Sequence, residues 1–184
     1  MPKTTPDLSH IAPALHKLAE PIDGLSLDPA NVRLHPVRNL AAITASLRRF
    51  GQQRPIIADA KGIVIAGNGT MTAARELGWT HLAVTRTNLT GSDAAAYAIA
   101  DNRTAELAEW DHDSLARQIA ALNNYDPDAA QATGYTPDEI AHLIAQSNGE
   151  TSVPDGAAGK AFDETCADDV KTITCPHCGE AVPV

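Results

Sequence analysis

Residues 50–78 read FGQQRPIIADAKGIVIAGNGTMTAARELG, and this stretch decides the fold. It predicts a buried strand over residues 63–66, because the apolar, mostly β-branched run is short and ends at glycine. Gly67 to Thr70 then form a turn in which two glycines permit positive φ, and a helix follows. A strand, a glycine turn and a helix N-terminus in this order present free backbone N–H groups to an anion. The stretch therefore predicts a phosphate-binding turn, with a turn that serves packing alone as the alternative.

Hydrophobic spacing predicts further helices and strands on both sides of this stretch. Strands are expected over residues 25–27, 55–59 and 81–87, and residues 60–62 turn the second of them into the 63–66 strand as a hairpin. Helices are expected over residues 39–50, 92–103 and 136–146, with one that ends at Gly78 and one that begins at Asp111. The expected N-caps, whose side-chain oxygens accept free N–H groups, are Asn39, Thr70 or Thr72, Ser92, Asp111 and Thr136.

The composition is that of a water-soluble chain. It has 184 residues, of which 43% are hydrophobic, and this length suits one domain and a little more. No apolar run reaches the roughly 18 residues that would predict a membrane span. Residues 1–20 also lack the basic start and continuous apolar segment of a signal peptide. We therefore expect a cytoplasmic protein without a membrane partner.

The net charge of −9 hides an asymmetry along the chain. Residues 1–90 hold 10 of the 14 Lys and Arg but only 6 of the 23 Asp and Glu, which predicts that the two halves face different partners. No acidic residue lies between Asp28 and Asp59. This interval contains a basic island, made of Arg33, Arg38, Arg48, Arg49 and Arg54. The island is either a solvated face or a surface for the phosphates of a nucleotide or of DNA.

The two ends of the chain differ in composition from its centre. Residues 1–20 are interrupted by prolines and are expected to form a loosely ordered arm. Residues 147–164 are rich in Gly, Ser, Pro, Asp and Ala, which predicts a flexible linker. Residues 165–184 are then a short tail that contains all three cysteines of the chain.

Three motifs in order resemble the ParB N-terminal-like domain, which has the ParB/sulfiredoxin fold. They are the helix end LRRFG with the following QRPI, the Gly67 turn into an Ala-rich helix, and ADNR at residues 100–103. The resemblance covers about residues 21–110 and implies an α+β unit, a small mixed sheet with flanking helices. Residues 111–146 look like the helical extension of compact, phage- or mobile-element-type members, which are often labelled ParB-like nuclease proteins.

In the partition proteins of this family, three boxes bind cytidine triphosphate with Mg²⁺. By position, the boxes fall here on Gly51 to Ile56 with Arg54 and Pro55, on Gly67, Asn68, Gly69 and Thr70, and on Asp101, Asn102 and Arg103. The family's second box usually reads Gly-Glu-Arg-Arg, and both of its phosphate-holding arginines are absent here. This absence argues against triphosphate hydrolysis, because such a site acts mainly by neutralising developing phosphate charge. Arg54 or Arg103 is the alternative source of a guanidinium.

The third box is expected to hold the catalytic residues. Asp101 and Asn102 are the expected catalytic pair, because a carboxylate and an amide oxygen are ligands that Mg²⁺ takes beside phosphate. In the alternative, the two residues simply end their helix. Sulfiredoxin chemistry is disfavoured, because it needs a cysteine in the second box and no cysteine precedes Cys166.

The resemblance implies a DNA-associated protein that binds nucleotide or nucleic-acid phosphates, with weak nuclease or nucleotide-hydrolase activity. The expected nucleic-acid contacts are Arg33, Arg38, Arg48 and Arg49. The first alternative is a nucleotide-dependent phosphotransferase or DNA-modification accessory enzyme, with Asp101 or Glu76 as its base. The second is a non-catalytic assembly module. The expected partners are DNA, a nucleotide with Mg²⁺, and a second copy of the chain in a homodimer.

The tail carries the pattern of a zinc knuckle. Residues 174–179 read TCPHCG, in which a turn shaped by proline and glycine brings two thiolates together. Cys175 and Cys178 are the expected Zn²⁺ ligands and Cys166 a third, while the fourth comes from His142 or another subunit. A redox-active or merely exposed cysteine pair is the alternative.

Overall fold

The computed structural model describes residues 6–148 together with the backbone of residues 172–174 and 181–183. The chain divides into two units, Met1–Gly149 and Glu150–Val184. In the second unit, β6 and β7 pair antiparallel, with Thr172 opposite Pro183. The elements in chain order are 3-10 helix Pro13–Leu18, β1 Ala19–Pro21, 3-10 helix Ile22–Gly24, β2 Ser26–Leu27, α1 Val37–Phe50, β3 Ile56–Ala58, β4 Ile63–Ala66, α2 Asn68–Glu76, β5 His81–Arg86, α3 Gly91–Glu106, α4 His112–Tyr125, α5 Pro127–Gln131, α6 Pro137–Ser147, β6 Thr172–Thr174 and β7 Ala181–Pro183.

The first unit is built on a five-stranded mixed sheet with the order β1-β5-β3-β4-β2. The central strands β3 and β5 are parallel, and β3 and β4 form the expected antiparallel hairpin with a register shift between Ile57 and Ala58. Asp59 closes this hairpin, because its carboxylate accepts the N–H groups of Lys61 and Ile63 at 2.8 Å each. The predicted α+β fold, a small mixed sheet with flanking helices, is confirmed.

Two hydrophobic cores stabilise this unit. The first lies between the sheet and α2, where Val64, Met71 and Leu82 are fully buried. The second lies within α4, α5 and α6, which we call the helical extension, and it centres on Ile119 and Ile140. None of the helices in residues 6–148 is long and apolar enough to cross a membrane.

Gln52 joins three distant segments of the chain at the centre of the fold. Its side chain, which is 1% exposed, pairs with the backbone of Ala83 in β5: Oε1 accepts the N–H at 2.7 Å, and Nε2 donates to the carbonyl at 2.9 Å. Its own N–H donates to the carbonyl of His10, and its carbonyl accepts from Ala12. One buried amide thus holds β5, the N-terminal segment and the chain after α1 together.

The expectation of a loosely ordered arm is wrong for residues 11–20. Ile11 is 2% exposed and forms an isolated parallel bridge with Gln52. β1 completes one edge of the sheet, with Ala19 opposite Ala83. These contacts are made with residues far along the chain, so the proline-rich local sequence gave no sign of them.

Helix starts also differ from the predicted caps in three cases. Helix α1 begins at Val37 with Pro36 as its N-cap, and the side chain of Asn39 instead bonds the ring of His35. The N-cap of α2 is Gly67, and that of α3 is Thr90, so the predicted side-chain caps of both helices are wrong. In both of these helices the turn geometry, and not a hydroxyl, sets the first residue.

The starts of the helical extension follow the sequence closely. Asp111 caps α4 by accepting from Ser114 N, and Thr136 and Glu139 form a full capping box at α6. The short helix α5 was not predicted, and its N-cap is Asp126, which accepts from Ala129 N. Local capping sets the starts of α4 and α6, which is why these two starts could be read from the sequence.

We predict that Gln52→Leu lowers the free energy of unfolding by about 3 kcal/mol, because the buried N–H and C=O of Ala83 lose their partners. Urea denaturation followed by circular dichroism measures this. Gln53→Leu is the matched control, since Gln53 is exposed, and its effect should stay within about 0.5 kcal/mol. Equal effects of the two variants would contradict the role of Gln52.

Candidate functional site

A cleft of about 630 Å³ opens between α1, the segment after it, and the start of α2. Its lining includes residues from all three predicted boxes, which are up to 50 residues apart in the sequence. Residues of the three boxes that line it are Gly51, Gln52, Gln53, Arg54, Pro55, Ile56, Gly67, Thr70 and Asp101. The fold therefore brings the three boxes to one place.

The first box forms the floor of the cleft where α1 ends. Gly51 is the C-cap of α1, and a Cβ atom there would lie 2.7 Å from the carbonyl oxygen of His10, so only glycine fits. Arg54 is exposed, and its guanidinium has no hydrogen-bond or ion-pair partner in residues 6–148. Pro55 leads the chain from Arg54 into β3. The box thus places one unpaired cation at the cleft.

The second box forms the wall at the start of α2. Gly67 has φ 99°, and a Cβ atom there would lie 2.5 Å from Cγ2 of Ile56, so glycine is required for both conformation and space. The N–H groups of Asn68, Gly69 and Thr70 have no acceptor among the described residues. They form the positive end of a nine-residue helix that opens beside the cleft.

Two residues of the second box serve the fold. The side chain of Asn68 is buried, donates to Val64 O at 3.0 Å and accepts from Asp28 N at 3.1 Å, so it does not reach the cleft. A Cβ atom on Gly69 would lie 2.8 Å from the ring of His35 and 2.9 Å from Ile43. A side chain at this position would therefore require His35 and Ile43 to move.

The third box lies inside α3 and does not end it. Of its residues only Asp101 lines the cleft, and the structure gives its carboxylate no hydrogen-bond or ion-pair partner in residues 6–148. The amide nitrogen of Asn102 donates to the carbonyl oxygen of Ala98 at 2.8 Å, and Nη1 of Arg103 donates to Oε2 of Glu106 at 3.4 Å. The predicted pair of Asp101 and Asn102 is therefore split, with the carboxylate alone placed in the cleft.

The basic island meets acidic residues of the second half of the chain. Nη2 of Arg38 donates to both carboxylate oxygens of Glu139, at 2.6 and 2.7 Å. Two further ion pairs are Arg33 with Glu106 and Arg49 with Asp126. The expectation that the two halves face different partners is wrong for these residues, because the halves neutralise each other. The hydrogen bond from Arg33 is the main cause that lowers the pKa of Glu106.

Two arginines of the island differ from the other three. The structure shows no ion pair for Arg48 or Arg54 within the described part of the chain. Glu76, one candidate base, lies outside the cleft and lines a shallow groove with Arg48. Arg54 and Asp101 are therefore the two unpaired charged side chains that line the cleft itself.

Sequence reasoning missed the part that the helical extension plays in the cleft. Thr133, in the link between α5 and α6, lines the cleft opposite Ser46 and Phe50 of α1. Next to it, Gly134 has φ 95° and approaches Ala42 of α1. Thr133 and Gly134 are adjacent in the sequence, but no sequence signal predicted that they would contact α1, which lies some 90 residues earlier.

The predicted Zn²⁺ ligands Cys166, Cys175 and Cys178 lie outside the described residues. Within the described part of the chain, no group of three or more His, Cys, Asp or Glu side chains is arranged to hold a metal ion. His142, the fourth candidate, contacts Gln146 on the exposed side of α6.

Comparison with known proteins places this fold. No protein-family model matches the sequence. The ParB-like nuclease domain-containing protein YnaK of Escherichia coli K12 is 37% identical over 57 residues, which make up 31% of this chain and 66% of that relative. The C-terminally truncated chromosome-partitioning protein ParB of Caulobacter crescentus, solved in complex with CTP-γ-S, superposes with a TM-score of 0.60 and 20% identity over 68% of this chain and 75% of the other. The chain is therefore similar in sequence to a ParB-like nuclease domain protein over part of that protein's length, and it shares the fold of the Caulobacter ParB structure.

Proposed function

We propose that the cleft binds the phosphates of a nucleotide or of nucleic acid. One observation carries this proposal: three boxes that are far apart in sequence meet at one cleft, which is lined by Thr70 in the first turn of α2 and by Arg54, unpaired in the described residues. Helix N-termini and guanidinium groups are the two commonest protein partners of phosphate. The volume of about 630 Å³ falls within the range of small-molecule sites.

Two similar proteins support the proposal that the cleft binds phosphates. The E. coli relative carries the name of a nuclease domain, and the Caulobacter protein was solved with a nucleotide analogue. Since the match covers 66% of the first and the second shares only the fold, binding and activity are proposed here for this chain on its own residues.

The residues of the cleft favour binding over fast hydrolysis. The second box has Gly69 and Thr70 at its two arginine positions, and Arg103 is engaged by Glu106. Arg54 is then the one arginine that lines the cleft. A single guanidinium stabilises a phosphate, while phosphoryl transfer usually requires several positive groups around the transferred oxygens. We infer weak nuclease or nucleotide-hydrolase activity at most.

Asp101 fits a role in Mg²⁺ binding. Its carboxylate lines the cleft and has no partner in the described residues, which would leave both oxygens available to a cation. Mg²⁺ would neutralise phosphate charge, and in its absence Asp101 would repel the same phosphates. Asn102, whose amide group bonds within α3, is not needed for this role.

A zinc site in the tail is a separate proposal, which rests on the sequence of residues 174–179. The backbone pairing of β6 and β7 supports it, because Thr174 lies opposite Ala181 and the chain between them holds Cys175 and Cys178. Zn²⁺ bound by two neighbouring thiolates needs two further ligands for tetrahedral coordination. Cys166 is the proposed third.

We predict that Arg54→Gln weakens binding of CTP, ATP or GTP with Mg²⁺ by about tenfold, the loss of one charge-assisted contact worth about 1.5 kcal/mol. A thermal melt in the presence of each nucleotide measures it, since ligand at 100 times its Kd adds about 2.7 kcal/mol to the folded state. Arg117→Gln on α4, outside the cleft, is the matched control. If no nucleotide shifts the melt of the native protein, the cleft does not bind free nucleotides, and nucleic acid remains as its ligand; an assembly module is favoured if nucleic acid does not bind either.

We predict that Asp101→Asn removes the dependence of nucleotide binding on Mg²⁺. Calorimetric titration of the native protein should give tighter binding with Mg²⁺ than without it, whereas the variant should give similar affinities in both conditions, because the repelling carboxylate is gone. Asp93→Asn, near the start of the same helix, should behave as the native protein does. An unchanged response to Mg²⁺ in Asp101→Asn would contradict the proposed role, and any phosphate release should fall with the same variant.

We predict that the purified protein contains about one Zn²⁺ per chain, and that a double substitution, Cys175→Ser with Cys178→Ser, abolishes it. Elemental analysis after gel filtration measures the content. Zinc retained by the double variant would exclude the tail as its site.

A further inference from the structure

A second pocket, of about 430 Å³, lies on the other side of the turn that follows α1. It shares Leu47, Phe50, Gly51 and Gln53 with the cleft. The two cavities therefore border the same residues between Phe50 and Gln53, one on each side, and together we call them the groove. The combined space is larger than one nucleotide in the cleft would use.

The far wall of the second pocket is built by the N-terminal segment. His10 lies against Trp79, with ring centroids 4.2 Å apart, and its Nε2 donates to the carbonyl of His81 at 3.0 Å. Gln52 holds the main chain here: its N–H donates to the carbonyl of His10, and it forms the isolated bridge with Ile11. These contacts hold the wall of the second pocket in one position.

Two cations along the groove suit the phosphates of a nucleic-acid strand, while the carboxylate of Asp101 in the cleft would need Mg²⁺ beside it. Arg54 lines the cleft and Arg48 lines the second pocket. Neither has an acidic partner in the described residues, in contrast to Arg33, Arg38 and Arg49, which are all paired. The unpaired cations thus occur at the two parts of the groove, one in each.

Phe50 lies between these two cations along the chain and lines both cavities. It is the last residue of α1, and 44% of it is exposed. Exposed aromatic rings between cations are the elements with which proteins hold unpaired bases, because every base has a face that can stack. A duplex keeps its bases stacked inside and has none to offer to such a ring.

We propose that the groove binds a single nucleic-acid strand, with successive phosphates near Arg54 and Arg48 and an unpaired base against Phe50. The inference rests on the proposed function, since one phosphate occupies the cleft described above. It adds a class of ligand, a strand of at least two nucleotides beside the free nucleotide, and it gives Arg48 and Phe50 their roles.

The test is fluorescence anisotropy with a labelled oligothymidylate of about ten nucleotides, a length within the usual range for such sites. Arg48→Gln should weaken binding about fivefold at 0.1 M salt and reduce the salt slope by about 0.7, the values for one lost phosphate contact on a single strand. CTP binding should be unaffected by this variant. Arg54→Gln should weaken both ligands, and Arg117→Gln neither.

Phe50→Leu adds a second, charge-neutral measurement. It should weaken oligothymidylate binding about tenfold, with an unchanged salt slope, because it removes stacking and leaves the cations in place. A hairpin duplex of equal length should bind more weakly than the single strand. Thermal melts of all variants establish that each is folded before its affinity is compared.

Three results would overturn the inference: unchanged affinity and slope in Arg48→Gln, a duplex bound as tightly as the single strand, or no oligothymidylate binding at low salt. If CTP binds in the last case, the cleft serves free nucleotides alone and the proposed function stands. If neither ligand binds, the proposed function fails together with the inference.

Discussion

The buried amide of Gln52 is the interaction on which the rest of the structure depends. It acts as a short piece of strand, because its two polar atoms pair with both backbone groups of one residue in β5. Its backbone at the same time holds the N-terminal segment. A hydrophobic residue would fill the same space but would leave buried donors and acceptors unpaired. The position of Gln52 also fixes the residues on either side of it, so the floor of the cleft and the second pocket both inherit their geometry from this one side chain.

Ion pairs within the folded chain neutralise three of the five arginines of the basic island. The sequence shows an acidic half and a basic half, and the folded chain sets three arginines of the basic island against Glu106, Asp126 and Glu139. Exposed pairs of this kind contribute little to stability. Their effect on binding is larger, because they remove three cations from competition for ligands. Within the basic island, the arginines left without an acidic partner in the described residues are Arg48 and Arg54, beside the groove, although the whole chain carries a net charge of −9.

Local rules predicted much of the fold and part of the candidate site. The β3–β4 hairpin, the Gly67 turn and the capping box at Thr136 depend on residues within a few positions of each other, and all three were found. The order of residues 11–20 was not foreseen, because β1 pairs with a strand more than 60 residues later. The same limit applies at the site: resemblance predicted which boxes matter, but only tertiary contacts show that Asn68 and Asn102 bond to backbone and that Asp101 reaches the cleft.

The pairing of β1 with β5 also has a consequence for the order of events during synthesis. Residues 19–21 leave the ribosome early, yet their partner strand is complete only when Arg86 has been made. Until then the first strand has no native neighbour, while the β3–β4 hairpin and α2 can already form from adjacent residues. The N-terminal segment is thus translated well before its partner strand and is placed only after that strand has formed, and the groove wall that carries His10 is finished only at that late step.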